Sequence, residues 1–78
     1  MWIRPREHKV VGKALATIRK RAGVTQQDLA KRLDKPQSFV SAYENGQRRI
    51  DLLEFMRIAA ALRVDPRKAF AEITVDRS

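Results

Sequence analysis

The sequence predicts an all-α domain, a compact bundle of five short helices, on three observations. Apolar residues recur at helical spacing in five stretches, each bounded by residues that start or stop helices. Period-two alternation is absent outside the short segment EITV, and no internal repeat or low-complexity tract interrupts the pattern. Finally, 78 residues without a cysteine cannot lean on a disulfide framework, so the 44% apolar content must be arranged around one economical core.

The first helix is expected from Lys9 to Ala22, where Val11, Ala14, Leu15, Ile18 and Ala22 share one face. Gly23 tolerates positive φ and stops it. Thr25 caps the second helix, with Asp28 at the capping-box position and Val24 and Leu29 as a hydrophobic staple. Its buried side is Leu29, Ala30 and Leu33. After the two-residue connection Asp34-Lys35, Pro36 suits the start of a third helix, which runs through Phe39, Val40 and Tyr43 to a stop at Asn45-Gly46. Asp51 caps the fourth, with Glu54 at the box position and Ile50 facing Phe55 as staple. That helix spans about Leu52 to Leu62 and presents Leu52, Phe55, Met56, Ala59 and Leu62 as core. Asp65 and Pro66 open a short fifth helix carrying Ala69, Phe70 and Ile73. The resulting organisation is a flexible basic arm over residues 1–8, a domain over 9–74 and a tail over 75–78. His8 is expected to be exposed in the arm, and Trp2 to be loose there or packed on a partner subunit.

Charge narrows the function. The chain holds 17 Lys and Arg against 9 Asp and Glu, a net +8. Residues 1–35 carry ten basic and three acidic side chains, residues 36–78 seven and six, so nearly all the excess lies in the first half. Such an excess commonly meets polyanions. Catalysis has little to stand on: one histidine near the terminus, three scattered glycines and carboxylates placed at helix caps supply no triad, phosphate loop or acid–base pair. Neither an enzyme nor a cofactor nor a metal is expected, and no apolar run approaches a membrane span. The expected location is the cytoplasm.

The informative stretch is Gln26 to Asn45, two short amphipathic helices joined by a turn too tight for an ordinary antiparallel hairpin. They must cross steeply, with small Ala30 at the crossing and Val40 and Tyr43 anchoring the second helix. This is helix-turn-helix geometry, with the second helix able to enter a major groove. Its outward residues Gln37, Ser38, Ser41 and Ala42 are short or hydrogen-bonding, as a helix against base edges requires. Phe39 beside them is equally placed for the groove or the core.

With TQQDLA, PQSFVSAYENG, the RRID segment and LRVDP in their usual order over about Val11 to Phe70, the sequence resembles the helix-turn-helix family of phage repressors and Cro proteins, also called the xenobiotic-response-element family. The resemblance implies double-stranded DNA as partner. Gln37, Ser38, Ser41 and Ala42 match base-reading positions, with Phe39 able to touch a thymine methyl. Gln26 matches a glutamine that binds phosphate and braces the recognition helix, and Thr25 and Lys35 are grouped with it. Asn45, Arg48 and Arg49 match a backbone clamp. Arg19 and Glu44 match a structural pair between the first and third helices. Asp34 and Arg63 stand where the family usually has glycine at a helix end, at a cost of about 1 kcal/mol each if the left-handed conformation is kept.

The expected function is a transcription regulator, a repressor binding a palindromic operator as a homodimer through Ala69, Phe70, Ile73 and the outer side of the fourth helix. The alternative is an antitoxin or adaptor whose main ligand is a partner protein such as a toxin, with DNA binding serving autoregulation.

Overall fold

The computed structural model describes residues 5–75, with side chains from His8 to Thr74. Among these residues the chain forms five helices: α1 (Pro5–Arg21), α2 (Gln26–Leu33), α3 (Gln37–Glu44), α4 (Leu52–Leu62) and α5 (Pro66–Val75). Helix α1 already includes Pro5, four residues before the expected start at Lys9. His8 therefore sits within a helix and is half-buried, lining a small cavity of about 140 Å³ with Gly12 and Tyr43. Trp2 lies outside the described residues.

Local chemistry explains the boundaries. Thr25 Oγ1 accepts from the Asp28 backbone N–H at 3.0 Å, but Asp28 returns no bond, its side chain being a methylene shorter than the glutamate that completes such a box. Asp51 and Glu54 make the full reciprocal box at the start of α4. Asp65 Oδ1 accepts from the Arg67 N–H at 2.8 Å and so caps α5. Pro36 is the cap of α3 rather than its first residue, and Gly46 (φ 75°), not Asn45 (φ −91°), takes the left-handed turn after it. Asp34 (φ 57°) and Arg63 (φ 59°) both adopt the left-handed region. The following residues close each helix end, Lys35 donating to the Ala30 carbonyl and Val64 to that of Ala59.

The core is one cluster built from all five helices: Leu15 and Ile18 of α1, Leu29 and Ala30 of α2, Val40 and Tyr43 of α3, Phe55, Ile58 and Leu62 of α4, Ala69 and Ile73 of α5. Val24 joins it from the α1–α2 turn. Several assignments differ from expectation. Ala22 is exposed. On α4 the buried stripe is Phe55, Ile58, Ala59 and Leu62, leaving Leu52 71% and Met56 51% exposed. Helix α4 is apolar on more than one side, so periodicity alone does not choose the phase; packing against α2 and α5 does. Ala69 and Ile73, expected on a partner-facing surface, are buried inside the chain itself, and Phe70 alone of the three is exposed.

Helix α3 is pinned at its C-terminal end by α1. A Cβ at Gly12 would fall against the Tyr43 carbonyl oxygen and 2.9 Å from Glu44 Cα. A Cβ at Gly46 would lie 2.5 Å from Lys9 Cα. Two glycines, one on each side of the seam, thus let the backbones meet, and this close approach sets where α3 ends.

Candidate nucleic-acid interface

Helix α3 is held from beneath by Val40, Tyr43 and Glu44, all buried, and turns Gln37 and Ser38 to solvent. Ser41 and Ala42 are half-buried on its flank, and Phe39 is half-buried against the core. Under the helix lies a buried ion pair. Arg19 Nε donates to Glu44 Oε2 at 2.7 Å and Arg19 Nη2 to Oε1 at 3.1 Å, while Nη1 reaches the Val24 carbonyl at 2.9 Å. The guanidinium fork is matched on each edge, which offsets its desolvation; the Glu44 hydrogen bond raises the Arg19 pKa further above its ordinary value.

The network continues to the surface. Gln26 Nε2 donates to Glu44 Oε1 at 2.9 Å, and Gln37 Nε2 donates to Gln26 Oε1 at 3.3 Å. Four residues from α1, α2 and α3 therefore connect the buried arginine to the first exposed residue of α3. Gln26 also opens α2, whose first backbone N–H groups point outward with no partner inside the helix and favour an anion. Tyr43, buried beside this network, has its hydroxyl pKa pushed up by burial, and its oxygen has no hydrogen-bond partner among the described residues.

The loop after α3 carries Arg48 and Arg49. Arg49 and Asn45 are exposed, Asn45 Nδ2 lying 3.4 Å from Ser41 Oγ. Arg48 is instead engaged: Nη1 donates to Glu54 Oε1 at 3.0 Å and to the Arg49 carbonyl at 2.8 Å, and Nη2 to Glu54 Oε2 at 2.8 Å. Its guanidinium lies 4.6 Å from the Phe39 ring centre. Lys35, exposed in the turn, places its Nζ 5.6 Å from the same ring.

The structure thus gathers Gln26, Gln37, Glu44 and Arg19 into one network and Lys35, Phe39 and Arg48 into a second. Ala69, Phe70 and Ile73 belong to neither. Sequence reasoning missed Gly12, whose signal was a lone glycine inside a helical pattern, and Glu54, read only as a cap. Among the described residues no cluster of His, Asp or Glu could hold a metal ion, and no helix is long and apolar enough to cross a membrane. A concavity of about 740 Å³ lies between the ends of α1, α2 and α4 and the side of α5, and α3 contributes nothing to it.

A short helix held proud of the core by a neighbour crossing it, with polar side chains outward and helix amides beside it, defines a DNA-binding protein of the helix-turn-helix class. A helix-turn-helix family profile matches residues 15–68, and the chain belongs to that family. An XRE-family like protein from Pseudomonas syringae pv. tomato is 37% identical, over 90% of this chain and 85% of its own, with a TM-score of 0.78. The restriction-modification controller protein C.AhdI from Aeromonas hydrophila is 30% identical, over 85% of this chain and 96% of its own, also with a TM-score of 0.78. The clp gene regulator ClgR from C. glutamicum, 21% identical over 92% of this chain and 94% of its own, has a TM-score of 0.84 and shares the fold. No curated protein matches. The chain is a DNA-binding transcription regulator of the XRE type.

Proposed function

We propose that the chain is a repressor that binds a palindromic operator as a homodimer, with α3 in the major groove. The observation that carries this reading is the network ending on Gln37, because a base-reading amide is specific only if its orientation is fixed. Gln37 and Ser38 read base edges, Ser41 and Ala42 line the groove wall, and Phe39 meets a thymine methyl. The amides at the start of α2, with Thr25 and Gln26, take one phosphate, while Lys35, Asn45 and Arg49 flank the duplex.

One such helix touches few base pairs, so specificity calls for a second copy about 34 Å away, one turn of DNA. Leu52, Leu53 and Met56 of α4 with Phe70 of α5 are exposed, and Phe70 stacks edge-to-face on Phe55 at 6.2 Å. This apolar surface supports self-association and replaces the buried Ala69 and Ile73 as its core. The same surface also suits a different protein, as an antitoxin or adaptor would need.

Selection from random duplexes at near-physiological salt tests the proposal. A palindromic motif that blurs at one position in Gln37→Ala supports it; salt-sensitive binding without a motif overturns it. Sedimentation of Met56→Glu against the native chain decides the partner. A native dimer that the variant loses supports self-association, whereas a native monomer both free and on DNA leaves the surface to another protein.

A further inference from the structure

We infer that Arg48, held by Glu54, is a positioning residue for base reading: it fixes the Phe39 ring on the recognition helix instead of contacting a phosphate. The inference rests on the proposed placement of α3 in the major groove. Arg48 makes two parallel hydrogen bonds to one carboxylate and a third to the Arg49 carbonyl, so most of its donors are committed. The acceptor is itself immobile, because Glu54 Oε1 also takes the Asp51 N–H at 3.0 Å and the Glu54 N–H donates to Asp51 Oδ1 at 2.7 Å. A loop cation is thereby tied to the first turn of α4 and laid across a ring on α3, 4.6 Å from its centre. Tyr43 also meets this ring edge-to-face, its centre 5.6 Å away.

The consequence is chemical. A half-buried phenylalanine free to swing covers any base edge it meets, whereas a ring held by a cation and an aromatic neighbour presents one edge. Only the fixed ring distinguishes a thymine methyl from the bare edge of cytosine. The Arg48–Glu54 pair therefore acts on sequence preference through Phe39. For Arg48 to reach a phosphate it would have to leave a bidentate carboxylate, so the two roles predict opposite results for Glu54.

The test applies random-duplex selection and salt titration to the full chain and to Arg48→Lys, Glu54→Gln and Phe39→Leu, with a thermal melt of each. Glu54→Gln keeps a residue able to complete the cap, and Arg48→Lys keeps the charge but loses the fork. All three variants should blur the same operator position by about fourfold, the worth of one buried methyl group. In Arg48→Lys and Glu54→Gln the slope of log K against log salt should stay that of the native chain. If Glu54→Gln tightens binding at an unchanged slope, Arg48 already leaves the carboxylate for a phosphate in the native complex and the inference fails. It fails equally if the variants fold and leave every position as sharp as before. A native chain that selects no motif overturns the groove reading itself, an outcome the variants are not needed to recognise.

Discussion

Two bidentate arginine–glutamate pairs adjoin α3, one through Glu44 of the helix itself and one through Arg48 over the Phe39 ring. In the Arg19–Glu44 pair the side chains are 8% and 6% exposed; in the Arg48–Glu54 pair they are 42% and 19% exposed. Both are bidentate, so hydrogen-bond number does not separate them. Burial does. Taking a charge out of water costs several kcal/mol, and a pair that has been desolvated punishes the loss of either partner, while a pair in contact with water is screened and replaceable. The inner pair thus belongs to the fold. The outer pair is free to serve placement of a side chain at the interface.

Breaking the inner pair tests this most directly. Glu44→Ala leaves the Arg19 guanidinium buried and should cost about 3–5 kcal/mol, which in a chain of this size is much of the total stability. Replacing both partners at once, Arg19→Met with Glu44→Leu, should recover most of that loss in denaturant unfolding. Recovery in stability would not restore function, since Gln26 and Gln37 would lose their anchor. Gly12→Ala comes next. Its new methyl meets the Tyr43 carbonyl, so α1 must lift off the end of α3 at a cost of about 1–3 kcal/mol, again read from denaturant unfolding.

Gln26→Ala sharpens the contrast because it cuts the link between the buried pair and the surface, along with the side chain's proposed phosphate contact, while leaving the buried pair in place. Stability should fall by about 1 kcal/mol, the worth of one hydrogen bond, while operator affinity falls about tenfold or more as Gln37 loses its orientation. A variant that loses stability and affinity in equal measure would show that the link is structural only.

For the outer pair the sharper probe is acid. The Arg48 hydrogen bond, aided by the Asp51 N–H, lowers the Glu54 pKa from 4.5 to about 2. A carboxyl lowered in the folded state stabilises fully above its ordinary range, and that contribution is lost as pH falls from about 4.5 towards 2. Water reaches Arg48, so the pH-dependent part should be about 1 kcal/mol, visible as a shallower acid limb in Glu54→Gln when stability is followed down the pH scale. High salt should shrink it and leave the inner pair's contribution in place.

How much of this was legible in the sequence follows the same division between local and tertiary effects. Thr25, Asp51, Pro66 and Gly23 act on backbone within a few residues, so they marked helix ends correctly. The phase of α4 was not legible, because Leu52, Leu53, Phe55, Met56 and Ile58 crowd several faces and only the neighbouring helices decide which are covered. Gly12 showed only as a lone glycine in a helical pattern for a related reason: its role is an approach to a residue 31 positions away in the chain. At the candidate interface, the exposure of Gln37 and Ser38 was readable from the pattern of α3. The linkage of Gln37 through Gln26 to Glu44, and the capture of Arg48 by Glu54, depend on how helices cross.

A third pair extends the comparison to its far end. Arg21 Nη1 lies 2.9 Å from Glu72, joining α1 to α5, with side chains 60% and 42% exposed. Its distance is close to the 2.7 and 2.8 Å of the other two and its sequence separation is the largest of the three, so geometry and loop closure would rank it high. An argument from desolvation ranks it last. Arg21→Gln should change unfolding free energy by no more than about 0.5 kcal/mol and leave the salt dependence of stability almost unaltered. A cost above about 1 kcal/mol would mean that tying α5 to α1 matters more than burial, and the order inner pair, outer pair, surface pair would then have to be rebuilt on topology.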